Sequence, residues 1–160
     1  MIKRKFTLGE LLVIMVVLVL LICLTIPLLK FGRERARRVN CMSNLKSIGL
    51  ALLMYSGDSE DFFIVTPNGN NFEPLNTLEI INDSKVFGCP SAEHLATTAR
   101  NSNYRYGGSG LLDDNEFAKT TTLASDRSGN HLDRKWINAL FIDGHAEGAK
   151  PDGTKTWNSF

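Results

Sequence analysis

The longest apolar run in the chain covers residues 11–29, where no residue is charged and only Thr25 and Pro27 interrupt the apolar side chains. At about 1.5 Å of rise per residue such a run makes roughly 28 Å of helix, close to the roughly 30 Å hydrocarbon core of a bilayer. A helix apolar all round must sit in lipid or among other such helices. Past a basic collar the pattern changes. Ala36, Val39, Met42, Leu45, Ile48, Leu52 and Tyr55 recur at spacings of three or four, with Arg37, Arg38, Lys46 and Ser47 off that stripe. The periodicity predicts one helix over residues 8–55, apolar in its first half, amphipathic in its second, and ended by Gly57-Asp58-Ser59. The stripe needs a cover, and a small sheet built from the rest of the chain is the economical one.

After the helix, short apolar runs alternate with turn clusters. Phe62-Phe63-Ile64-Val65 reads as a strand or extended edge, and residues 75–81 as a short helix. Val86-Phe87, Tyr104-Arg105-Tyr106 and residues 120–124 carry strand signals. Residues 136–142, then Asp143-Gly144, then residues 145–148 predict a β-hairpin, both turn positions favouring positive φ. The fold expected is α+β: a long N-terminal helix packed on a small antiparallel β-sheet. Its segments are a basic leader (1–5), a membrane-spanning half-helix (6–29), an amphipathic half-helix (30–56) and a globular head (57–160) ending in the hairpin near 136–148.

Charge sharpens the division. The net charge of +1 divides into +6 over residues 1–40 and −5 over the remaining 120. A basic collar on both sides of the apolar run suits anionic headgroups, and it leaves the positive-inside rule indecisive, because five cations follow the run and three precede it. A secretory signal peptide fits less well. Its apolar region should be about 7–15 residues and end in small residues, whereas this run ends in Ile26-Pro27-Leu28-Leu29-Lys30. Glu10 stands at the mouth of the run, where a carboxylate in lipid costs a few kcal/mol unless a cation meets it. A favourable place near the helix N-terminus is the simpler account of it.

Lys3-Arg4-Lys5 followed by Phe6-Thr7-Leu8-Gly9-Glu10-Leu11-Leu12-Val13 and the apolar run resembles the processing signal of type IV prepilins and type II secretion pseudopilins. The resemblance implies cleavage between Lys5 and Phe6, methylation of Phe6, pairing of Glu10 with the Phe6 amine of a neighbouring subunit, and a helix kink at Pro27. In this chain Lys5 stands where that family has Gly, and Gly9 where a larger apolar residue is usual. Residues 41–52, CMSNLKSIGLAL, also resemble a stretch of the pilin-like proteins of planctomycetes, verrucomicrobia and lentisphaerae. Those proteins carry a later Cys-Pro, here Cys89-Pro90, and a terminal His to Asp-Gly motif, here His131 and Asp143-Gly144 with eleven residues between instead of nine.

The resemblance implies an inner-membrane anchor with a cytoplasmic N-terminus and a periplasmic head. It further implies a structural, non-enzymatic subunit of a type IV pilus-like or type II secretion filament. The partners expected are the membrane, further copies of the chain, a prepilin peptidase and other pilus or secretion subunits. The alternative is an uncleaved, signal-anchored extracytoplasmic binding or enzymatic domain that does not polymerise. Cys41 and Cys89 then face the extracytoplasmic side, where a disulfide can persist, or they remain two separate buried thiols. Major pseudopilins that the chain resembles bind calcium near their C-termini, for which Asp113, Asp114, Glu116 and Asp126 are candidate ligands, though without EF-hand-like spacing. No cofactor beyond that possible Ca2+ is expected. Asp126, His131, Asp143 and His145 cluster in sequence, but Asp143 serves the hairpin turn, His145 opens a strand, and Asp126 begins what reads as a polar loop. No Cys-x-x-Cys, His-Glu-x-x-His, Gly-x-Ser-x-Gly or phosphate-cradling loop is present. Tyr104, Tyr106, Arg100 and Arg105 imitate a nucleic-acid stacking strip, which the acidic head opposes.

Overall fold

A computed structural model of the chain describes residues 7–66, 71–114, 116–131 and 136–150, with backbone alone at positions 27 and 28. Helix α1 (Leu8–Asp58) accounts for the whole apolar run and the amphipathic stretch, and it is continuous through position 27. By Cα packing the chain divides into two units, Met1–Arg35 and Ala36–Phe160. In the first, the described side chains between residues 11 and 29 are all exposed, Val17 at 48% and Leu24 at 73% among them.

The second unit holds a four-stranded antiparallel sheet, β1 (Tyr104–Tyr106), β2 (Thr122–Asp126), β3 (Ile137–Phe141) and β4 (Ala146–Ala149), in the order β1-β2-β3-β4. A register shift at Leu123 puts a bulge between β2 and β3. The amphipathic half of α1 buries Cys41, Leu45, Ile48, Ala51 and Leu52 in the common core with Leu123, Ala124, Leu140 and Ile142. The expected α+β architecture, a long helix on a small antiparallel sheet, is therefore present.

The buried face keeps the predicted Leu45, Ile48 and Leu52, with Met42 and Tyr55 half-buried, and departs from the predicted stripe only at its N-terminal end. Ala36 and Val39 are exposed, and the buried series runs Cys41, Leu45, Ile48, Leu52, Ser56. A polar anchor sits at the N-terminal end of this face. The Arg38 carbonyl accepts a 3.2 Å bond from Asn138 Nδ2 on β3, and the Arg38 guanidinium lies 4.9 Å from the Trp136 ring centre. Gly49 sits on the same face, where an added Cβ would stand 2.7 Å from Leu140 Cδ1. Gly costs a helix interior about 1 kcal/mol against Ala. Here it allows the helix backbone to approach β3.

A small helix α2 (Glu73–Thr77) overlaps the predicted 75–81 helix only at residues 75–77 and starts two residues earlier, with Pro74 in its first turn, where a missing N–H costs nothing. Val86-Phe87 belong to a 3-10 turn, Ser84–Phe87, and not to a strand: Asp83 caps it by accepting from Lys85 N at 3.0 Å. Phe62 makes a single bridge to Leu112, so the 62–65 segment is an edge contact and not a strand of the sheet. The hairpin forms as expected, with a different turn. The Phe141 carbonyl accepts from Gly144 N at 3.0 Å, and only Gly144 takes positive φ, at +82°. This is a three-residue loop ending in a left-handed glycine, which suits the right-handed twist of the strands as well as the two-residue turn does.

Tyr104 and Tyr106 are buried, and Arg105 between them is exposed. Their hydroxyls donate to the Gly88 and Ile64 carbonyls at 3.2 and 2.8 Å. Phe72 stacks on Phe87 at 5.9 Å and leans on Tyr106 at 5.5 Å. Burial pushes both phenols well above their ordinary range.

Candidate functional site

At the start of α1, Thr7 and Glu10 bond reciprocally. Glu10 Oε2 accepts from Thr7 N at 2.8 Å and from Thr7 Oγ1 at 2.9 Å, and Glu10 N donates to Thr7 Oγ1 at 3.3 Å. This is a capping box, satisfying two orphan donors of the helix end. Its Thr-x-x-Glu signal stands in the sequence, but reading Glu10 through the macrodipole and a neighbouring chain overlooked Thr7. Lys5 and Phe6, the predicted processing positions, lie outside the described residues.

The polar centre of the second unit lies where α1, the segment after the 3-10 turn, β2 and β3 meet. Cys41 on α1 is disulfide-bonded to Cys89, forty-eight residues later, with Cα atoms 5.1 Å apart. Beside them the imidazole of His131 meets Asp126 through Nε2 and Oδ2 at 2.8 Å, both side chains fully buried. Asp126 Oδ2 also accepts from Asn138 N at 2.8 Å and Asn138 Nδ2 at 2.9 Å. Among the described residues Asp126 Oδ1, a buried atom, has no hydrogen-bond donor. Cys41, Cys89, Asp126 and His131 bring one potential ligand atom each within 4.8 Å of one another. The polar-loop reading of Asp126 is thus corrected. It is the last residue of β2, turned inward, because Asn138 on the paired strand offers it two donors.

The residues of the 41–52 stretch now have physical tasks. Cys41 holds Cys89, and Asn44 Nδ2 donates to the Gly88 carbonyl at 2.9 Å, so both fix the same loop. Leu45, Ile48 and Leu52 fill the core, and Gly49 makes room for Leu140. On the loop's other side Asn103 Oδ1 accepts from Cys89 N at 3.1 Å and Ala96 N at 2.8 Å. An open polar cleft of about 970 Å³ runs past this loop, with Arg37, His94, Arg127, Asn130 and His131 among its walls.

The four residues clustered in sequence separate into two pairs. Asp126 and His131 are buried together, whereas Asp143 and His145 sit exposed on the hairpin. There the His145 ring stacks on Phe141 at 4.3 Å, and Asp143 Oδ1 accepts from His145 N at 3.1 Å. Of the calcium candidates, Asp113 accepts from Ser56 Oγ at 2.7 Å, Asp114 and Glu116 are exposed, and Asp126 belongs to the buried centre.

Residues 31–62, which carry Cys41 and Asn44, match the model of a family described as a protein of unknown function (DUF1559). No curated protein and no solved structure gives a match. By length and composition the first half of α1 can span a membrane.

Proposed function

We propose that this chain is a pilin-like structural subunit, held in the inner membrane by the first half of α1 and assembled with its own copies into a type IV pilus-like or type II secretion filament. Its N-terminus is cytoplasmic and its head extracytoplasmic before assembly. The carrying observation is the first half of α1: nineteen positions without a charge, the described side chains exposed throughout, and a single carboxylate, Glu10, at its mouth. Such a surface is stable in lipid or against further copies of itself. Glu10 is tolerable in that setting when a neighbour's amine meets it, so the charge selects the register of the bundle. The family likeness over residues 31–62 is compatible with this role.

One observation favours a second reading, an uncleaved anchored domain that does not polymerise. The capping box gives Glu10 partners within its own chain. Intact mass and N-terminal sequencing of chain taken from membranes containing a prepilin peptidase separate the two. A chain beginning at methylated Phe6 supports the subunit, and Glu10→Ala should then abolish pelletable filaments while leaving membrane insertion unchanged. A chain still beginning at Met1 lacks the amine that Glu10 would meet and favours the anchor.

A further inference from the structure

The pair Cys41 and Cys89 can serve a second chemistry at the same place. We propose that Cys41, Cys89, Asp126 and His131 form a divalent-metal site of zinc type that opens when the disulfide is reduced, so that metal and disulfide are alternative occupants of one buried centre.

Four residues of metal-binding type come from four separate segments, the helix, the Cys89 loop, the end of β2 and the following loop, and all four are buried. Their ligand atoms already lie within 4.8 Å of one another. A tetrahedral zinc ion, with bonds of about 2.3 Å to sulfur and about 2.0–2.2 Å to nitrogen or oxygen, sets its ligands roughly 3.3–3.8 Å apart. Side-chain rotation therefore suffices to gather the set. Two thiolates, an imidazole and one carboxylate select zinc or a similar borderline ion over calcium or magnesium, which demand oxygen.

Asp126 supplies the independent sign. Its Oδ2 is saturated by Asn138 and His131, while Oδ1 is buried with no donor among the described residues. A buried carboxylate oxygen left unsatisfied is costly, and a cation is the partner that removes the cost. Ligation through Oδ1 leaves the Oδ2 bonds to Asn138 in place, and these are the outer contacts that orient a metal-binding carboxylate.

The exchange balances. An external dithiol gives two electrons and two protons to the Cys41–Cys89 bond and becomes a disulfide itself, leaving two thiols. On binding the divalent ion these thiols lose two protons and coordinate as thiolates.

The test uses the full chain in detergent, with Cys23→Ala removing the other thiol and metal stripped beforehand. Zinc and, separately, cobalt(II) are titrated into disulfide-bonded and phosphine-reduced protein. One ion per reduced chain is expected, with thiolate-to-cobalt charge-transfer absorption, and none per oxidised chain. Asp126→Ala and His131→Ala should each weaken binding by about tenfold or more. Circular dichroism checks that the variants fold. Should either fail to fold, Cys41→Ser with Cys89→Ser in the same Cys23→Ala background gives the same reading, because it must abolish the cobalt band. No stoichiometric uptake by the reduced chain, or equal uptake by the oxidised chain or the double serine variant, overturns the proposal.

Discussion

Gly49 in the middle of α1 faces Leu140 on β3 so closely that a Cβ at position 49 would lie 2.7 Å from Leu140 Cδ1. Leu140 is fully buried and has little room to yield. Gly49→Val should therefore overpack the helix–sheet contact by about 1–3 kcal/mol, lowering the melting temperature of the detergent-solubilised chain by several degrees. Gly49→Ala should cost less, because about 1 kcal/mol of helix propensity offsets the crowding. An unchanged melting temperature in the valine variant would show that the helix does not pack this closely.

Asn138 joins three elements by bonding to Asp126 on β2 and to the Arg38 carbonyl on α1. Asn138→Ala removes these two bonds and the one its Oδ1 accepts from Trp136 Nε1 at 3.0 Å, each worth about 0.5–1.5 kcal/mol, while Asp126 Oδ2 keeps its bonds to the backbone N of residue 138 and to His131. The midpoint of chemical denaturation should fall accordingly with the slope unchanged, since little surface is altered. A loss below about 0.5 kcal/mol would mean that water enters the site.

Tyr104 and Tyr106 predict an alkaline limit to stability. Both are held protonated by burial, and both donate to backbone carbonyls that a phenolate cannot satisfy. Their folded values lie above the unfolded value near 10. The stability they contribute is fully present below that value and is lost as pH rises above it, by about 1.4 kcal/mol per pH unit for each tyrosine. Denaturation midpoints followed from pH 8 to 11 should be flat at first and fall beyond about 10. Tyr106→Phe should make that fall shallower.

Glu10 carries two separable tasks, capping and charge. Glu10→Gln keeps an oxygen able to accept from Thr7 N, and glutamine serves in capping boxes as glutamate does. Membrane insertion and helicity should stay at wild-type level in this variant while filaments disappear, if the charge selects a neighbour's amine. Filaments formed at wild-type yield by Glu10→Gln would assign Glu10 to the cap alone.

Much of this protein is legible in its sequence, because the strongest signals are periodic and local. The charge-free run of residues 11–29, the three-and-four spacing beyond it and the Asp143-Gly144 turn need no partner to be recognised, since helix pitch and glycine's conformational freedom are properties of a few neighbouring residues. Where the buried face of α1 begins was decided by tertiary structure: Leu45, Ile48 and Leu52 are buried as the stripe predicts, Ala36 and Val39 are exposed, and the bond from Asn138 to Arg38, across one hundred residues, is one that no local pattern shows. Val86-Phe87 became a 3-10 turn because Asp83 caps them, a side-chain competition that β-propensity does not register. The buried centre was equally hidden. Cys41, Cys89, Asp126 and His131 are far apart or embedded in polar sequence, and only the closing of the sheet on the helix brings their side chains into one place.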